Sequence, residues 1–131
     1  MTVTNKLIAV VDDDASARDA LSALVKAFGF VVAAFSSGAA FLASAELRNT
    51  ACLIADMQMP DMSGLELFLT LLESSLPIPT ILITAYPEDT VKRRALQAGV
   101  IDFLAKPVDS EKLMACLRRA VGAPPEKTQG T

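Results

Sequence analysis

Residues 7–14 read LIAVVDDD, an apolar pentapeptide that runs directly into three aspartates. Five consecutive aliphatic residues suit a strand buried on both faces, the type found in parallel sheets with helices on each side. The pattern recurs along the chain. Apolar runs at Phe30–Phe35, Cys52–Ala55, Thr80–Thr84 and Ile101–Ala105 follow the first run, Leu7–Val11, and each leads into residues with helical spacing. Five alternations of strand and helix predict one open, doubly wound (flavodoxin-like) α/β domain, with a five-stranded parallel sheet and five helices.

The helices are punctuated by recognisable chemistry. Ala17, Leu21, Leu24, Val25 and Phe28 recur on one face of the first, with Asp14 placed to cap its start and Gly29 placed where a left-handed residue ends it. Gly38–Ser44 reads as a short second helix, and Ser63-Gly64-Leu65-Glu66 as a capping box opening the third. A fourth follows Pro87 and stops near Gly99. Asp109 or Ser110 opens the last, whose apolar stripe is Leu113, Cys116, Leu117, Ala120 and Val121. Residues 1–121 thus form the predicted domain, and 122–131, polar and rich in Pro and Gly, a tail or truncated linker.

Composition narrows the chemistry. With 131 residues, 52% hydrophobic and 21% charged, the chain has ample material for a core. Its net charge of −3 leaves no basic excess for a phosphate backbone, so direct nucleic-acid binding by this chain is not expected. Histidine is absent, which removes imidazole acid–base catalysis, Ser-His and Cys-His pairs and histidine-based zinc sites. Cys52 and Cys116 lie in apolar contexts without CxxC spacing and read as buried free thiols in a reducing compartment. The N-terminus has neither a signal-peptide pattern nor a membrane span, so a cytoplasmic protein without membrane attachment is expected.

Ligands of open α/β sheets bind at the carboxyl ends of the strands, and here those ends are polar. The first strand is followed by Asp12, Asp13 and Asp14, the third by Asp56 and the fifth by Lys106, while Thr84 closes the fourth. Gathered carboxylates repel one another and require a cation or a lysine beside them. Oxygen ligands from Asp12, Asp13 and Asp56 suit Mg²⁺. With that ion and Lys106 neutralising oxygen charge, Asp56, alone at the end of the central strand, is suited to attack phosphorus as a nucleophile.

The segments VVDDD (10–14), IADMQMPDMSG (54–64), ILITA (81–85) and DFLAKP (102–107) resemble the response-regulator receiver family of two-component signalling. SSGAAFLAS (36–44) and GVIDFLAKPVD (99–109) are most similar to its FixJ-like branch. The resemblance implies a sheet of order 2-1-3-4-5 and a phosphorelay function without a turnover substrate, in which the chain catalyses its own phosphotransfer and autodephosphorylation. It implies that Asp56 accepts the phosphoryl group from a sensor histidine kinase or phosphotransfer protein. Asp13 would bind Mg²⁺ directly, Asp12 mainly through water, and Gln58 through its backbone carbonyl. Thr84, Phe103 and Lys106 would act as switch residues, with the Lys106-Pro107 bond cis. Tyr86 departs from the pattern, since FixJ-like chains often have a smaller or more polar residue there; its ring would stand over the acyl phosphate and, together with Gln58, set the lifetime of the phosphoryl group. The helix 4/strand 5 face would control an output partner, a phosphorylation-dependent homodimer or a DNA-binding domain beyond this chain.

Several residues also have simpler readings. Asp14 is expected as a cap rather than a ligand, and Phe103 is balanced between mobile switch and fixed core. Met57, Met59 and Met62 are expected to pack, and Lys92-Arg93-Arg94 to form a solvated helix face. A phosphatase of the haloacid dehalogenase type also uses an Asp nucleophile on such a sheet, but wants a second Asp two positions later, where this chain has Gln58. A pseudo-receiver would keep the fold without phosphorylation, against which stands the set Asp12, Asp13, Asp56, Thr84 and Lys106.

Overall fold

A computed structural model describes residues 6–122. Strands β1 (Leu7–Val11), β2 (Val31–Phe35), β3 (Thr50–Asp56), β4 (Thr80–Thr84) and β5 (Asp102–Ala105) alternate with helices α1 (Ala15–Ala27), α2 (Gly38–Leu42), α3 (Gly64–Glu73), α4 (Asp89–Ala98) and α5 (Ser110–Val121). A single 3₁₀ turn, Leu47–Asn49, precedes β3. All strand pairs are parallel, and the sheet order is β2-β1-β3-β4-β5, as expected for the doubly wound class.

Alternation along each strand divides the interior into two cores. Ala9, Val11, Leu53, Ala55 and Leu82 pack with Phe41 of α2, Leu67, Phe68 and Leu71 of α3, and Ala95 of α4. Ile8, Val10, Ile54, Ile81 and Ile83 face the other way, against Leu21 and Val25 of α1 and Leu113, Cys116 and Leu117 of α5. A sheet apolar on both faces accounts for the strands' near-continuous hydrophobicity. Cys52 and Cys116 are buried free thiols, and burial pushes the Cys52 thiol up to about 12.

The caps follow the sequence closely. Asp14 accepts the Ser16 N–H, Ser63 and Glu66 form the reciprocal capping box, and Asp109, rather than Ser110, caps α5. Gly29 adopts φ 103° after α1. Boundaries shift where backbone donors are used elsewhere. β2 begins at Val31 because the Phe30 N–H turns back to the Val25 carbonyl. The last turn of α2 tightens, with the Ser44 N–H on the Phe41 carbonyl, so the helix proper stops at Leu42. β3 is longer than its apolar run and takes in Thr50, Ala51 and Asp56, whereas β5 starts at Asp102 rather than Ile101. Of the proposed tail, residues 123–131 lie outside the described residues.

Leu117 is fully buried and Val31 is 44% exposed on the sheet edge. Leu117→Ala is expected to cost about 2–5 kcal/mol by urea unfolding, and Val31→Ala at most about 1 kcal/mol.

Candidate functional site

Strand register assembles the polar residues. Val11 lies beside Ala55, so Asp12 follows next to Asp56 in the crevice between β1 and β3, where the strand order reverses. On the far side of β3, Thr84 is paired with Ala105, one residue before Lys106. Four strands therefore deliver side chains to one edge of the sheet.

Lys106 Nζ lies 3.2 Å from Asp12 Oδ2 and 3.1 Å from Asp56 Oδ2, joining the two acids through one ammonium. Their other oxygens are held by backbone donors: Asp12 Oδ1 accepts the Asp14 N–H at 3.0 Å, and Asp56 Oδ1 accepts the Gln58 N–H at 3.1 Å. Asp12 is fully buried and Asp56 nearly so, while Asp13 is exposed. Oxygens of Asp12, Asp13 and Asp56 lie within 4.8 Å of one another. A compact, all-oxygen anionic donor set open to solvent on the Asp13 side fits a hard, partly hydrated cation such as Mg²⁺.

Charge is incompletely balanced, with three carboxylates facing one ammonium. Burial holds the Asp56 carboxyl above its ordinary value, against the opposing pull of the Gln58 N–H and Lys106, and the nearby Asp12 charge raises it further. Burial works against the charge of Lys106, yet its bonds and attraction to Asp56 and Asp12 outweigh this and raise its affinity for the proton.

The surrounding backbone is tightly constrained. A Cβ on Gly64 would stand 2.7 Å from the Asp56 carbonyl oxygen and 3.0 Å from Leu82 Cδ2, so only glycine lets α3 begin this close to the end of β3. Asp61 takes φ 70° in the intervening loop, a conformation Asp tolerates better than most residues. Met57, Met59 and Met62 pack against the core. The Lys106-Pro107 bond is cis, matching the resemblance.

Of the sequence-predicted residues, Asp12, Asp13, Asp56 and Lys106 form the cluster. Thr84 is buried nearby, with its Oγ1 accepting the Tyr86 N–H at 3.0 Å and donating to Gln58 Oε1 at 3.0 Å. Phe103 stands apart, 4% exposed in the core beside Ala95. The Tyr86 ring is 70% exposed, so its nearest tie to the site is through its backbone. Asp14 caps α1, as its simpler reading has it, and Lys92, Arg93 and Arg94 are exposed. Sequence reasoning missed Arg18, whose guanidinium donates to the Asp12 carbonyl at 2.8 Å. It also missed the bond made by the Gln58 side chain, since an exposed glutamine carries no periodic or motif signal for such a contact.

A doubly wound sheet whose reversal point holds an acid–lysine cluster is the architecture of receiver domains. The chain belongs to the response regulator receiver domain family, whose model matches residues 8–118. It is 37% identical over 98% of its length to response regulator protein TmoT of Ectopseudomonas mendocina, covering 59% of that protein. Transcriptional regulatory protein FixJ of Rhizobium meliloti is 34% identical over 90% of this chain and 58% of its own length. The crystal structure of FixJ-N superposes with a TM-score of 0.80 at 34% identity, covering 90% of this chain and 94% of that one. This is a FixJ-like receiver domain of two-component systems, and the chain spans little more than half the length of these curated relatives. Among the described residues, no helix is long and apolar enough to cross a membrane.

Because the Asp56 carboxyl is raised above its unfolded value, its ionisation opposes folding. The penalty is absent below the unfolded value, 3.8, and complete above the raised native one. In chelator-treated buffer, Asp56→Asn is therefore expected to unfold at higher urea concentration than wild type at pH 7. The difference should shrink as pH falls toward the ordinary carboxylate range.

Proposed function

We propose that the chain is a Mg²⁺-dependent phosphoacceptor switch of a two-component phosphorelay, with residues 1–121 as the working domain and 122–131 as a tail or truncated linker. The observation that carries this reading is the single ammonium of Lys106 bonded to both Asp56 and Asp12 at the reversal point of the sheet. Asp56 is the nucleophile. Its carboxylate oxygen forms a bond to phosphorus while the bond from phosphorus to the imidazole nitrogen of a kinase or phosphotransfer-protein phosphohistidine breaks, and the imidazole leaves with the electron pair.

Lys106 sits where it can pair with oxygens of the transferred group, and the Thr84 hydroxyl lies at the neighbouring strand end. Asp12, Asp13, Asp56 and the Gln58 carbonyl would hold Mg²⁺, which supplies charge neutralisation at the phosphoryl oxygens. Lys106, Asp56 and Thr84 thus catalyse a reaction on the chain itself, with water later hydrolysing the acyl phosphate.

The response is read on the α4–β5 face. A cleft of about 530 Å³ lined by Glu88, Lys92, Phe103, Ala105 and Lys112 separates α4 from β5 and α5. Repositioning of Thr84 and Phe103 would reshape this face for an output partner, a second copy of the chain or a DNA-binding domain. The longer relatives named as transcriptional regulators support the last output.

Incubation with Mg²⁺ and acetyl phosphate is expected to add one phosphoryl group to the wild type by intact mass and none to Asp56→Asn. Lys106→Ala should accumulate the adduct about 100-fold more slowly. An equal adduct on Asp56→Asn would overturn the assignment of the nucleophile. Tyr86→Ala is expected to accept the group but lose it at a different rate after the donor is removed. Identical decay curves would remove Tyr86 from the lifetime assignment.

A further inference from the structure

The Gln58 carboxamide oxygen bonds two donors at the end of β4, the Thr84 hydroxyl at 3.0 Å and the Ala85 N–H at 3.2 Å. The contacting atom is identified chemically. The Ala85 N–H can only donate, so the atom it faces is the acceptor Oε1, and the Thr84 hydroxyl, which accepts the Tyr86 N–H, donates its own proton to that same oxygen. The Gln58 N–H, meanwhile, donates to Asp56 Oδ1. One residue therefore touches the acid through its backbone and occupies the neighbouring donors through its side chain, bridging 26 and 27 positions of sequence.

We infer that the Gln58 carboxamide is a built-in stand-in for a phosphoryl oxygen, holding the Thr84 hydroxyl and Ala85 N–H in the unphosphorylated chain and yielding them when Asp56 is modified. The inference rests on the phosphoacceptor reading. A neutral amide oxygen on an exposed side chain is a weak occupant, whereas a charged phosphoryl oxygen forms shorter and stronger bonds with the same donors. Exchange therefore runs toward the phosphoryl group, and the carboxamide swings toward solvent. Until then Gln58 keeps the end of β4 tethered to the β3–α3 loop. Gln58 thus acts as a positioning residue, competing with the ligand for donors.

Three proteins test this: wild type, Gln58→Met, which keeps the length but loses the acceptor, and Gln58→Glu, which keeps an acceptor and adds charge. Position 58 is exposed, so all three are expected to fold, with circular dichroism as the check. Hydrogen exchange at the Ala85 amide, without Mg²⁺ or phosphate analogue, should be about two- to tenfold faster in Gln58→Met and restored to slow exchange in Gln58→Glu. Beryllofluoride with Mg²⁺ should bind Gln58→Met about two- to tenfold more tightly than wild type, and Gln58→Glu more weakly. Unchanged Ala85 exchange in Gln58→Met, or beryllofluoride binding of equal affinity in all three, overturns the stand-in while leaving the phosphoacceptor reading in place. No beryllofluoride binding by any of the three overturns the phosphoacceptor reading itself, and the stand-in with it.

Discussion

One ammonium shared between two buried carboxylates is the constraint on which the functional edge depends. Asp12 directly follows β1 and Asp56 ends the adjacent parallel β3, and without Lys106 between them two desolvated negative charges would face each other. Lys106 reaches both because β5 runs parallel beside β4 and ends one residue before it. The surrounding backbone contributes as well. The Asp14 and Gln58 amides each take one carboxylate oxygen, and α3 starts at a glycine pressed against the Asp56 carbonyl. Sheet register, helix entry and charge balance are thus one problem, solved at the β1–β3 crevice.

That solution leaves a deficit, since Asp13 adds a third carboxylate that, among the described residues, has no salt-bridge partner. A site built only for stability would replace such a cluster with apolar packing, because desolvating charges costs more than one ion pair returns. The deficit instead favours cations and groups able to spread negative charge over several donors. The two clusters beneath the edge are built from apolar side chains, and the buried charges among the described residues, Asp12 and Asp56, both lie at this rim. The Asp102–Arg119 pair, at 3.1 Å, lies at the opposite end of β5, with Arg119 exposed and Asp102 partly buried, outside this cluster.

Much of this was legible in the chain because the signals were local. Strands buried on both faces announce themselves as unbroken apolar runs, and Asp14, Ser63 with Glu66, and Asp109 announce helix starts by short-range hydrogen bonding. Asp12, Asp13, Asp56, Thr84 and Lys106 stood out because polar groups directly after apolar strands share one edge once the topology is known. What stayed hidden depends on contacts distant in sequence or on side-chain direction. Arg18 reaches the Asp12 carbonyl from the second turn of α1, a bond no spacing rule forecasts. Gln58 was legible as a backbone ligand and a side chain affecting the phosphoryl lifetime, but not as the tie between the β3–α3 loop and the end of β4 that its carboxamide makes. Phe103, left between switch and core by its sequence context, packs inward at 4% exposure.

The energetic scale of switching follows from the kinds of bond exchanged. Moving a two-state equilibrium from 1:99 to 99:1 requires about 5.5 kcal/mol of differential binding. Hydrogen bonds to a charged group contribute about 1.5–3 kcal/mol each, against about 0.5–1.5 for neutral ones. In the proposed switch, a phosphoryl group that meets the Thr84 hydroxyl and the Ala85 N–H would replace two neutral bonds to a carboxamide by charged ones, a gain of about 2–3 kcal/mol at the centre of those ranges, while Lys106 would exchange one charged acceptor for another, so these exchanges supply about half of that differential. On that reading the change would pass outward through Thr84 Oγ1, which also accepts the Tyr86 N–H. In the proposed switch, a shift of that hydroxyl would pull on the first residues of the β4–α4 loop, which leads into the helix bordering the α4–β5 cleft. On the proposed reading, a rim of displaceable polar bonds over an apolar sheet would couple the acid cluster to a surface one helix away.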